Sequence, residues 1–63
     1  MTQKELLYVE DAIGHESSII EIIKESINSM DDDGLISYLE SDLNKHVDLK
    51  NRLTNLLEEK TNE

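Results

Sequence analysis

Three side chains of this sequence have the types and the spacing to do chemistry together: Glu16, Asp42 and His46. Asp42 and His46 are four apart, so on a helix they share one face. Carboxylates and an imidazole converging in a helical bundle offer hard oxygen and neutral nitrogen ligands, the set that suits iron, manganese or zinc. The same groups also make a charge-assisted hydrogen bond that sets helix register and holds no metal. A second acidic set lies between residues 29 and 40. Against a twelve-residue calcium loop, Asp31, Asp33 and Glu40 fall at ligand positions 3, 5 and 12, and Gly34 at the turn position 6. Ser29 stands where the first aspartate belongs, and the plainer role of these aspartates is to cap a helix. No serine has a positioned base, no glycine-rich phosphate loop is present, and Tyr8 and Tyr38 read as groove or interface residues. No catalytic residue is expected.

The elements that must position these groups are two helices. Leu6, Val9, Ile13, Glu16, Ile20, Ile23 and Ile27 recur at steps of three and four, as do Leu35, Leu39, Asp42, His46, Leu49, Leu53 and Leu56. That period puts each set on one side of a helix. Folded back about Asp31, the two sets pair antiparallel, with Glu16 opposite His46. Thr2 and Glu5 have capping-box spacing, so helix 1 is expected from about residue 3 to about residue 29. An acidic turn at about 30–33 follows, and Asp31-Asp32-Asp33-Gly34 is the only turn signal. Helix 2 is expected from about 32 to about 59, with residues 60–63 frayed. Gly14 interrupts helix 1 at a cost of about 1 kcal/mol, for which close packing is the expected reason.

Sixty-three residues make at most one domain, too small to bury much of its surface alone. There is no cysteine, which leaves self-association or a metal as the usual remedies. Helix 1 is apolar over nearly half its circumference, and Ile36, Leu43 and Leu57 form a second apolar line on helix 2. Both helices therefore have a face to spare, and the simplest use of it is a homodimer of hairpins forming a four-helix bundle. Leu6, Val9, Ile13, Ile20, Ile23, Leu39, Leu49 and Leu53 are expected to carry that core and association. Fifteen acidic against six basic residues give a net charge of −9. That charge disfavours nucleic acid and anionic membranes, and no apolar run reaches the length of a signal peptide or a span. A cytoplasmic protein is expected.

The string Leu6-Leu7-Tyr8-Val9-Glu10-Asp11-Ala12-Ile13-Gly14-His15-Glu16 resembles the opening of small spore-coat-like proteins of clostridia, and the lone His46 in helix 2 resembles their pattern. The resemblance implies a ferritin-like half-bundle: one hairpin that dimerises, a link to sporulation and the spore coat, other proteins of the same assembly as partners, and no enzymatic activity. Ferritin-like metal sites take a glutamate from the first helix and Glu-x-x-His from the second. Glu16 and His46 match; the position three before His46 is Leu43, and Asp42 is one place off. The resulting expectation is a non-enzymatic structural protein without a cofactor, with two alternatives. One is a minimal metal protein using Glu16, Asp42 and His46 with Fe, Mn or Zn. The other is a calcium-responsive hairpin using Asp31, Asp33 and Glu40.

Overall fold

The computed structural model describes residues 1–61. It is an all-α hairpin of two antiparallel helices, α1 (Gln3–Ser29) and α2 (Asp33–Thr61), in a rod of 47 × 14 × 12 Å. The three residues between them cannot carry the chain sideways, so α2 must return along α1.

Each helix starts where its first polar residue can satisfy the exposed N–H groups. At α1 the expected capping box is complete: the Glu5 N–H donates to the Thr2 hydroxyl at 3.1 Å, and the Thr2 N–H donates to the Glu5 carboxylate at 2.8 Å. The Thr2 backbone N–H, and after it the Thr2 hydroxyl, hold the Glu5 carboxyl below a glutamate's ordinary pKa. At α2 the cap is Asp32, whose Oδ1 accepts from the Leu35 N–H at 3.0 Å. Asp33 follows in the first turn, where negative charge suits the helix dipole. A Cβ on Gly34 would stand 3.3 Å from that capping oxygen, so the glycine leaves the cap its room. Between the helices, Met30 is extended, and its N–H reaches back to the Ile27 carbonyl.

The first helix ends where the sequence places it. The second runs further: Lys60 and Thr61 are helical, with the Thr61 hydroxyl bonded to the Leu57 carbonyl at 2.9 Å. The expected fraying of Lys60 and Thr61 is therefore not found; that of residues 62 and 63 falls outside the described residues.

The seam on α1 is the expected one: Leu6, Val9, Ile13, Glu16, Ile20, Ile23 and Ile27 are all buried or half-buried. Ile20 and Ile23 are the most enclosed side chains among the described residues. On α2 the seam is rotated from expectation. It follows Ile36, Leu39, Leu43, His46, Lys50, Leu53 and Leu57, all half-buried; Leu35 and Leu49 are exposed, and Asp42 and Leu56 are half-buried at its flank. The two candidate lines are evenly matched in apolar content. One offers Ile36, Leu43 and Leu57 with Lys50; the other offers Leu35, Leu49 and Leu56 with Asp42. The charged member breaks the tie. Lys50 can lay its methylenes along α1 and carry its ammonium out to water. Asp42 has no such stem, and pressing its carboxylate into the seam would cost several times more.

Gly14 departs from expectation as well. A Cβ there would meet nothing within 4 Å. The glycine faces open space beside Glu10, Asp11, His15 and Ser18, so close packing is not its reason.

Candidate functional site

The polar layer predicted from spacing is assembled at the middle of the rod. The His46 ring presents Nδ1 to the Glu16 carboxylate at 2.6 Å, and its N–H donates to Oε2. Its Nε2 lies 3.6 Å from Asp42 Oδ1, ion-pair distance but too long for a direct hydrogen bond. Burial grades along the triad: the side chains of Glu16, His46 and Asp42 are 13%, 27% and 40% exposed. Glu16 gives up most water and holds the short bond, as a desolvated carboxylate must. Among the described residues no buried side-chain polar atom lacks a partner.

Glu16 gets there because α1 carries it at a seam position, one turn before Ile20. His46 gets there because the register set by the short link puts it level with Glu16. Asp42 sits one turn before His46, just outside the seam, and so reaches only the outer nitrogen.

The triad joins the two helices through one short contact and adds one longer ion pair within α2. Glu16 holds one ring nitrogen directly, and the other faces Asp42 at ion-pair distance. Among the described residues no three of His, Asp and Glu converge as metal ligands. The second acidic set is not gathered at all. Asp31 lies in the link, Asp33 opens α2, and Glu40 stands seven residues on, about 10 Å along the axis. Glu40 instead lines a shallow groove with Lys24, Ile27, Asn28 and Leu43.

That groove also shows how the helix flanks align. The residues following the seam on each helix, Lys24 on α1 and Glu40 on α2, meet on one side. The residues preceding it must then meet on the other: Glu5, Ala12, Ile19 and Ser26 on α1, with Leu35, Asp42, Leu49 and Leu56 on α2. The most exposed large apolar side chains collect on this second side. Tyr8, Ile22, Leu35, Tyr38 and Leu49 belong to it, whereas Leu7 and Val47 lie on the groove side. Ile22 is 62% exposed and Tyr38 72%. The groove side carries Glu10, Glu21, Asp33, Glu40 and Glu58 against one cation, Lys24.

Two features escaped the sequence. Arg52 bonds Asp48 one turn earlier at 3.0 Å. Lys50 completes the α2 seam; its spacing from His46 and Leu53 was the available signal. His15 is exposed, as its position on the helical wheel predicts. Lys4 lies over the exposed Tyr8 ring, 5.9 Å from its centroid.

Fold and site together define an amphipathic helical hairpin with one polar layer and one uncovered apolar side. No family model, curated protein or solved structure matches the chain, and no helix among the described residues is long and apolar enough to cross a membrane.

Proposed function

We propose that this chain is a non-enzymatic interaction protein that works as a homodimer of hairpins closing into an acidic four-helix bundle. One observation carries the reading: the exposed apolar side chains lie almost wholly on one side of the rod, while the opposite side is polar and acidic. Scattered surface leucines need no explanation, but a one-sided band marks an association surface. The hairpin seam alone encloses Ile20 and Ile23 and leaves every other apolar residue partly wet, which is thin support for a chain of this size.

The Glu16–His46 pair supports a structural role. It crosses between the helices at mid-length and is satisfied within the chain, as a register-setting pair would be. A place in the spore coat, beside other proteins of that assembly, rests on the Leu6–Glu16 string alone. The test pairs metal analysis with mass measurement on one tag-free sample grown with Fe, Mn, Zn and Ca supplied. A metal-free dimer is expected. Stoichiometric transition metal, lost in His46→Ala, would replace this reading with a metal-binding one.

A further inference from the structure

We infer that the second copy docks on the Ile19–Leu49 side, with a two-fold axis through the Glu16–His46 layer that sets α1 against the partner's α1 and α2 against the partner's α2. This rests on the homodimer reading and adds the face, the axis and the order of the helices.

The face follows from area and charge. A compact protein of 7.2 kDa exposes about 4,100 Å², whereas this hairpin exposes 4800 Å². The excess is close to the roughly 800 Å² that each partner gives to a standard interface. The apolar side supplies it at less electrostatic cost: it carries Glu5, Asp42 and Glu59 against Lys45 and Arg52, whereas joining two groove sides would bring together two rows of carboxylates with only Lys24 to offset them.

The axis follows from symmetry. Glu16 is the middle residue of α1 (Gln3–Ser29), and His46 is one residue from the middle of α2 (Asp33–Thr61). Two such rods that overlap along their whole length must superimpose their polar layers at the dyad.

The order of the helices follows from which side chains then meet. Two arrangements keep neighbouring helices antiparallel. If α1 lies on the partner's α2, Glu5 falls opposite the partner's Leu56, Ile19 opposite the partner's Asp42, and Ser26 opposite the partner's Leu35. Three of four levels then set a polar group against an apolar one. If like helices meet, Leu35 falls opposite the partner's Leu56, Ala12 opposite the partner's Ile19, and Glu5 opposite the partner's Ser26. At the rim, Tyr8 comes beside the partner's Ile22. The one mismatch is Asp42 opposite the partner's Leu49, and that carboxylate already has its own His46 ring nearby.

The chain has no cysteine, so single cysteines report proximity without background. His15 and Lys45 are exposed, and each lies at the rim beside the dyad, next to its own copy. His15→Cys and Lys45→Cys should each form disulfide-linked dimers on mild oxidation, with helicity unchanged. Glu21→Cys and Asn44→Cys, on the groove side, should not. Linkage that appears only when His15→Cys and Lys45→Cys are mixed would overturn the order of the helices. Linkage at Glu21→Cys or Asn44→Cys would overturn the face. A dimer of the unaltered chain with no linkage at His15→Cys or Lys45→Cys would overturn this inference and leave the homodimer standing. A monomeric unaltered chain in sedimentation would overturn both.

Discussion

Replacing Ile22 by glutamate should weaken the dimer through its interface and not through helix propensity. Ile22 is 62% exposed on the hairpin. Burying a whole isoleucine side chain stabilises by about 1.5–3 kcal/mol, so covering the exposed part stabilises by about 1–2 kcal/mol. Two-fold symmetry counts it twice, giving about 2–4 kcal/mol per dimer. At about 1.4 kcal/mol per factor of ten, dissociation should strengthen roughly 30- to 700-fold, before any cost of the added charge. Glutamate is at least as good a helix former as isoleucine, so helix propensity is not the cause of any loss. The control is Leu7→Glu. Leu7 is 53% exposed, nearly as wet as Ile22, but lies on the groove side. Sedimentation equilibrium over a concentration series, with circular dichroism on the same samples, separates the two variants. Ile22→Glu should shift the monomer–dimer midpoint and Leu7→Glu should not. Equal effects from both would refute the assignment of the face.

Four further outcomes are expected. Ile20→Asp puts a carboxylate at one of the two most enclosed positions and should leave the chain unfolded or monomeric; a folded dimer in sedimentation equilibrium would contradict the seam. Gly14→Ala should stabilise by about 1 kcal/mol, because the new methyl meets open space and the helix loses its glycine; a lower melting temperature would contradict that. His46→Ala strands the Glu16 carboxylate and should cost about 1–3 kcal/mol, whereas the double change Glu16→Leu with His46→Leu should cost less, read by urea denaturation. The Glu5 pKa is lowered on folding by the Thr2 backbone N–H and, after it, the Thr2 hydroxyl, so its contribution is whole above the ordinary glutamate range and is lost as pH falls through the depressed value. Amide exchange in the first turn of α1 should therefore quicken in acid for the parent and not for Glu5→Gln, whose amide keeps the capping bond.

Much of the fold was legible because its signals are local. The capping box, the acidic turn and the period of α1 each fix one element without reference to the rest. The Glu16–His46 contact followed from the link alone, since a three-residue turn leaves little freedom of register. The α2 seam was not legible from apolar counting. Both lines hold three aliphatics and one charge, and the choice depends on how a lysine stem and a short carboxylate differ when half-buried. Leu49 was therefore expected inside and is found outside. This moves the exposed leucines to Leu35 and Leu49, with Leu56 half-buried beside them, and with them the face that a partner would cover. Gly14 shows the opposite weakness: an isolated glycine in a helix signals its cost, and nothing in the sequence says whether a neighbour needs the space. Arg52 pairs with Asp48 because the backbone of one helix already holds them one turn apart.

The most direct measurement is sedimentation equilibrium of the unaltered chain, from micromolar to millimolar, with helicity followed on the same samples. The homodimer predicts a mass of twice 7.2 kDa, with helicity falling as dilution drives dissociation. A mass of 7.2 kDa throughout, with helicity undiminished, would mean that the hairpin stands alone and that its apolar side serves something other than a second copy.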